Sequence, residues 1–161
     1  MKIYVASSWR NSDHFSVVEA LRREYHDVYD FTHLGGFHWH DIDSKWQEWS
    51  MEEFRTSLQT PLAQKGFDRD WEAMQWAEAC VLVLPCGRSA HLEAGYFIGA
   101  GKPLIILLKE GEESELMYKM ANHLCVSMAE VISILGKEKT CPYPGCPDPY
   151  KEQRGCALCY E

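Results

Sequence analysis

Residues 80–84 limit the possible folds more than any other segment, because all five are apolar and Pro85 follows them. A strand that is apolar on both faces is typical of the centre of a parallel sheet. The sequence predicts strands at residues 3–6, 28–31, 80–84, 103–108 and 123–126, with helical segments between them. Strands that alternate with helices pair in parallel and place helices on both faces. We therefore expect an α/β domain with a doubly wound, five-stranded parallel sheet of the flavodoxin-like type.

Length and charge narrow the function classes. The 161 residues suggest one folded domain, residues 1–136, followed by a Cys-rich appendage, residues 137–161. A formal net charge of -8 argues against a nucleic-acid polymer or an anionic membrane as partner. The sequence contains neither an apolar run long enough for a membrane span nor the layout of a signal peptide, so we expect a cytoplasmic protein.

The helix boundaries follow from caps and breakers. Ser12 is expected to cap the first helix, and Pro61 to interrupt a helical segment at 46–64. A helix at 68–78 is predicted to have Asp70 near its beginning. The helix after the central strand is predicted at 89–100 and ends at Gly101.

Two carboxylates lie near the carboxyl ends of the predicted strands, where ligands bind in such folds. Glu93 is one turn into the helix that follows the central strand, and Asp70 is in the helix that precedes it. Each also has a possible structural role. Glu93 can interact favourably with the dipole of its helix, and Asp70 can cap the beginning of its helix. A pair of carboxylates near one crevice suits an oxocarbenium-like transition state in sugar chemistry.

Several segments together resemble one family. They are residues 2–10, 28–31, 70–74, 77–81, 89–96 and 99–103, which span most of the chain in order. The sequence resembles the nucleoside 2-deoxyribosyltransferase superfamily, which includes deoxyribosyltransferases and nucleoside 5'-monophosphate N-glycosidases.

The resemblance implies a role for three residues. Glu93 would attack the anomeric carbon and form a glycosyl-enzyme intermediate. Tyr4 would orient that carboxylate, and Asp70 would assist sugar binding or proton transfer to the leaving base. The partner would be a small nucleoside or nucleotide, no cofactor would be needed for catalysis, and a homo-oligomer would complete the site.

The loop after the first strand bears on the substrate. Trp9 resembles the transferases, in which an aromatic residue helps to form the base pocket. Ser8 and Arg10 resemble the monophosphate hydrolases, in which this loop holds a 5'-phosphate, although Arg10 has the alternative of a solvated surface position. Ser89 either donates to a phosphate or to Glu93, or caps its helix. Residues 87–91 lack the Asp that transferases often use to read the base.

Residues 37–41 form an aromatic run between the second strand and the next helix. We expect Trp39 to act as a lid that stacks on a nucleobase, and Phe37 to pack against Trp46 and Trp49. His38 and His40 have no obvious third ligand, so a metal is not expected at this loop.

Four cysteines in the appendage, Cys141, Cys146, Cys156 and Cys159, suggest a structural zinc site. Their spacing is irregular, so disulfides and the absence of an ordered fold remain alternatives. A reducing cytoplasm favours the metal over disulfides.

Two other functions compete with a nucleoside or nucleotide N-glycosidase or transferase. One is an NAD-type glycohydrolase, which would release nicotinamide. The other is a non-catalytic nucleotide-binding or sensing module, which would have no need for Tyr4, Asp70 and Glu93 together.

Overall fold

The computed structural model of the protein describes residues 1–137. Its strands are β1 (Lys2–Ala6), β2 (Asp27–Tyr29), β3 (Ala79–Val83), β4 (Leu104–Leu107) and β5 (His123–Cys125). They form one sheet, entirely parallel, in the order β2-β1-β3-β4-β5. The predicted five-stranded α/β sheet is confirmed. Because the strand order reverses between β1 and β3, the ligand crevice is expected at their carboxyl ends.

Helices cover both faces of the sheet. They are α1 (His14–Arg23), α2 (Met51–Ser57), α3 (Pro61–Trp76), α4 (Arg88–Gly99) and α5 (Met128–Lys137). Short 3-10 turns lie at His33–Gly35, Trp39–Asp41, Trp46–Glu48 and Leu116–Met120. Helices α1 and α5 pack on one face, and α3 and α4 pack on the other.

Strand residues alternate between the two cores. Ile3 and Val5 of β1 pack against α1 and α5, whereas Tyr4 and Ala6 point toward α3 and α4. All five residues of β3 are buried, as its apolar composition predicts for a central strand. The alternation places Tyr4 on the face from which α4 presents Glu93.

Three helix boundaries differ from the prediction. Pro61 begins α3, with the Thr60 side chain accepting a hydrogen bond from the Ala63 N–H, so Asp70 lies inside a 16-residue helix. Helix α1 follows Asp13, and Ser12 does not cap it. Helix α4 begins at Arg88 after Gly87, so Ser89 is its second residue and not its N-cap. Proline suits the first position of a helix, because the N–H that it lacks would have no helical partner there.

None of the helices in residues 1–137 has the length and apolarity that a membrane span requires. The predicted zinc ligands Cys141, Cys146, Cys156 and Cys159 lie outside the described residues.

Candidate active site

A cavity of about 590 Å³ lies at the carboxyl ends of the strands, where the topology expects a ligand. Seven of the predicted site residues line it: Ser8, Trp9, Arg10, Trp39, Asp70, Ser89 and Glu93. The eighth, Tyr4, is 1% exposed and lies beneath the cavity in β1. Residues far apart in the sequence therefore meet at one site.

Glu93 is partly buried in the first half of α4 and accepts a hydrogen bond from the Tyr4 side chain. Burial and the nearby charge of Asp70 raise the pKa of Glu93 to about 7, and the hydrogen bond from Tyr4 opposes that rise. Burial also raises the pKa of the Tyr4 phenol, which keeps it a hydrogen-bond donor. A carboxyl group with a pKa near neutrality suits a nucleophile or an acid–base residue.

Asp70 lies on α3 and is held by two donors. The Tyr29 hydroxyl donates to Asp70 Oδ1 at 2.5 Å, and Arg69 Nη2 lies 3.4 Å from the same oxygen. Asp70 raises the pKa of Glu93 electrostatically, so the two carboxylates act on each other across the cavity. The arrangement provides the pair of carboxylates that the sequence predicted.

A buried amide ties together the two loops that frame the crevice. Asn11 Nδ2 donates to Ser7 Oγ, Val83 O and Pro85 O at 3.0, 3.2 and 3.1 Å. Asn11 is 7% exposed. It therefore joins the loop after β1 to the loop after β3, and fixes the distance between the segments that carry Ser8 and Ser89.

One part of the cavity lining, the cationic wall, carries the positive charges of Arg10 and Arg88. Arg10 and Arg88 line the cavity and have no acidic partner among residues 1–137, in a chain of net charge -8. The N-terminal turn of α4 lines the same cavity, and its N-cap Gly87 offers no side-chain acceptor. The Ser89 hydroxyl makes no hydrogen bond within residues 1–137. Uncapped N–H groups beside guanidinium groups favour an anionic ligand.

The aromatic wall is packed onto the body of the protein. The Trp9 ring contacts His38 at a centroid distance of 4.3 Å and Phe31 at 5.2 Å. Trp39 meets Trp49 and Phe54 edge to face. Phe37 contacts Trp39 and lies against Gly66 of α3, where a Cβ would be 2.9 Å from the Phe37 ring. Phe37 was predicted to pack against Trp46 and Trp49. The contacts that the structure shows for its ring are with Trp39 and Gly66.

A second cavity of about 480 Å³ adjoins the first between α3 and α4. The two cavities share five lining residues, Phe37, Trp39, Asp70, Ser89 and Glu93, and the second is otherwise mainly apolar. Glu93 and Asp70 therefore stand between a cationic compartment and an apolar one.

His91 and Cys86 lie close to Glu93 in the sequence, but neither of them lines either cavity. His91 Nδ1 is 2.9 Å from Gly87 O, and its Nε2 is 3.0 Å from the Tyr118 hydroxyl. These contacts hold His91 against the 3-10 turn at Leu116–Met120. Burial, followed by the charge of Glu93, raises the pKa of the Cys86 thiol to about 12. Cys86 is therefore not a thiolate nucleophile at neutral pH.

Within residues 1–137, no group of three or more His, Cys, Asp or Glu side chains is arranged to hold a metal ion.

Sequence reasoning missed four residues of the site: Asn11, Tyr29, Arg69 and Arg88. Tyr29 was detectable in principle, because it ends the strand beside β1 and pairs with Tyr4 in the parallel register. Arg88 adjoins Ser89 in a segment already assigned to the crevice. Asn11 and Arg69 carry no sequence signal of their own, since their roles depend on tertiary contacts.

Comparison with solved structures identifies the fold. The chain is similar to a 2-deoxyribosyltransferase from the psychrotolerant bacterium Bacillus psychrosaccharolyticus, with a TM-score of 0.58, 19% identity, and coverage of 82% of this chain and 90% of that chain. It is also similar to a CMP N-glycosidase from Clostridium botulinum, with a TM-score of 0.48, 15% identity, and coverage of 84% and 98%. The sequence matches no model of a known protein family and no curated protein. The chain thus has the fold of a 2-deoxyribosyltransferase, as the sequence resemblance implied.

Proposed function

We propose that the protein is an enzyme that cleaves the N-glycosidic bond of a nucleoside or nucleoside 5'-monophosphate, with Glu93 as nucleophile. The observation that carries the proposal is the placement of Glu93 and Asp70 on one cavity, with Glu93 held by Tyr4. The fold, which is that of a deoxyribosyltransferase, supports the same chemistry.

The reaction divides into two displacements. A Glu93 carboxylate oxygen attacks the anomeric carbon while the bond from that carbon to the base nitrogen breaks. The bonding electrons leave with the base, which takes up a proton. Water or a second base then attacks the same carbon and releases Glu93, which gives hydrolysis or transfer.

Each neighbour has a part in these steps. Tyr4 donates to Glu93 and holds the carboxylate toward the sugar. Asp70 accepts a hydrogen bond from a sugar hydroxyl or assists the proton transfer to the leaving base. Trp9 and Trp39 supply aromatic faces for the base.

A 5'-phosphate fits the cationic wall. Arg10, Arg88, the Ser8 and Ser89 hydroxyls and the N-terminal turn of α4 line one cavity. Because Arg10 and Arg88 have no acidic partner within residues 1–137, their donors are available to an anion. We therefore favour the monophosphate over the unphosphorylated nucleoside as substrate.

The proposal is tested by incubating the full-length protein with ribonucleosides, deoxyribonucleosides, their 5'-monophosphates and NAD, with and without free adenine. Chromatography detects released and exchanged bases. We expect base release from a monophosphate, and a loss of about a thousandfold or more in Glu93→Gln. Glu72→Gln, which changes an exposed glutamate of α3 outside both cavities, is the matched control and should keep the wild-type rate.

The outcomes separate the alternatives. Base exchange that requires adenine identifies a transferase, and base release without an acceptor identifies a hydrolase. Nicotinamide release from NAD alone would favour the NAD-type glycohydrolase. Tight ligand binding with no turnover in the wild type would contradict the proposal and favour a binding module.

A further inference from the structure

Tyr29 stands beside Tyr4, and neither residue lines the cavities, whereas both carboxylates above them do. The two residues are Cα partners in the parallel pairing of β1 with β2, so their side chains project from the same face of the sheet. Their rings are stacked, with centroids 5.2 Å apart and planes inclined by 18°. The register of the sheet therefore sets two phenol groups side by side.

Each phenol serves a different carboxylate. Tyr4 donates to Glu93, and Tyr29 donates to Asp70 Oδ1 at 2.5 Å. Because the rings are packed on each other, the positions of the two hydroxyl groups are linked, and so are the positions of the carboxylates that they hold.

The two carboxylate oxygens of Asp70 differ in their hydrogen bonding. Both donors to this carboxylate, Tyr29 and Arg69, contact Oδ1. Oδ2 receives no hydrogen bond from any of residues 1–137, and Asp70 lines both cavities. Tyr29 thus occupies one oxygen and leaves the other open to a ligand.

We propose that Tyr29 is a positioning residue, which fixes the Asp70 carboxylate so that Oδ2 meets the sugar or the leaving base opposite Glu93. The inference rests on the proposed N-glycosidic function and adds a residue to it. The Tyr29 hydroxyl acts through Asp70, so its removal should lower the rate only while Asp70 is present.

Tyr29→Phe tests this, because it keeps the ring that stacks on Tyr4 and removes only the hydroxyl donor. We expect kcat to fall about tenfold and KM to change less than about twofold, since a hydrogen bond to a charged group is lost. Asp70→Asn should cost more than Tyr29→Phe. In the Asp70→Asn background, Tyr29→Phe should lower kcat by less than about twofold further, because the effects of residues that act through one another are not additive.

Tyr118→Phe is the matched control. It removes a hydroxyl that contacts the His91 ring and not a carboxylate, and it should stay within about twofold of the wild-type kcat. Thermal melting of each variant checks that a lower rate does not come from a smaller folded fraction.

The failure of this inference is distinct from the failure of the proposed function. If the wild type is active and Tyr29→Phe has the same kcat, the inference about Tyr29 is overturned and the proposed function is not. A Tyr29→Phe loss that is equally large in the Asp70→Asn background has the same consequence, because it would show an effect that does not pass through Asp70. A wild type without turnover on any substrate overturns the function and this inference together.

Discussion

The floor of the cavity and its aromatic wall are built on different principles. The floor consists of side chains on strands and helices: Tyr4 and Tyr29 on neighbouring strands, Asp70 on α3 and Glu93 on α4. The wall consists of Trp9 and residues 31–50, a segment with short 3-10 turns in which Trp39 is held by the rings of Trp49 and Phe54. Regular elements fix the chemical groups, and an irregular segment shapes the space around the substrate.

The difference predicts how substitutions divide. Changes in the floor should alter the rate of the chemical step or the stability of the fold, because its groups are at least partly buried and are hydrogen-bonded. Changes in the two walls should alter substrate selection and leave the chemical step in place.

The largest expected effect in the walls concerns phosphate. Arg10→Met and Arg88→Met should each lower kcat/KM for a 5'-monophosphate about tenfold, and together about a hundredfold, because each removes charge-assisted hydrogen bonds. The rate with the unphosphorylated nucleoside should change less than about twofold. Arg55→Met, an exposed arginine of α2 paired with Glu52, is the control.

Steady-state kinetics with nucleoside and monophosphate side by side checks this prediction. Equal losses on the two substrates would show that the arginines support the fold and not phosphate recognition.

The pH dependence of kcat/KM tests the electrostatic coupling between the two carboxylates of the floor. As the proposed nucleophile, Glu93 has to be ionised, and burial and then the charge of Asp70 raise its pKa to about 7. kcat/KM should therefore fall about tenfold per pH unit below about pH 7 and level off above it. In Asp70→Asn the acid limb should move to lower pH, since one cause of the raised pKa is removed. A limb that moves to higher pH, or stays in place, would contradict the coupling of the two carboxylates.

Substitution of Asn11 tests whether the floor depends on the hydrogen bonds that join the loops after β1 and β3. Asn11→Ala removes a buried donor that contacts Ser7 Oγ, Val83 O and Pro85 O, and should lower the free energy of unfolding by about 2 kcal/mol. Urea denaturation measures the change. Ser12→Ala, at the exposed neighbouring position, should change it by less than about 0.5 kcal/mol. Equal stability of the two variants would mean that the loops are held together by other contacts.

The smallest effect is expected where the wall touches α3. In Gly66→Ala the new Cβ would lie 2.9 Å from the Phe37 ring, which must shift. We expect KM to rise about threefold at nearly constant kcat, because the wall moves and the floor does not. Alanine also favours a helix interior by about 1 kcal/mol, so the fold should not be weakened. Gly95→Ala of α4 meets nothing within 4 Å and should leave KM unchanged.

The sequence predicted the sheet because its strands carry short apolar runs, such as residues 80–84, separated by helical segments. It also placed Glu93 near the crevice, since the helix after a strand fixes where its first turns lie, whereas Tyr4 was implied only by the family resemblance. The predicted beginning of α3 was wrong, because a proline such as Pro61 is as compatible with the first turn of a helix as with a break inside one.

The wall was only partly predictable, for a physical reason. The position of Phe37 depends on the absence of a side chain at Gly66, which is 29 residues further along the chain, and no local pattern records that contact. Asn11 is similar, because its amide contacts Val83 and Pro85 through tertiary structure alone. The catalytic roles of Glu93, Asp70 and Tyr4 remain predictions, and so do the roles of Ser8, Trp9, Arg10, Trp39 and Ser89 in substrate binding.

The central claim is that Glu93 forms a covalent bond to the sugar. The most direct measurement is mass spectrometry of the protein quenched with acid during turnover, followed by digestion and analysis of the peptide that contains Glu93. We predict a mass increase on Glu93 equal to one glycosyl group, with its 5'-phosphate when the substrate carries one, and no such adduct in Glu93→Gln. Turnover that persists in Glu93→Gln, or an adduct on a different residue, would contradict the account.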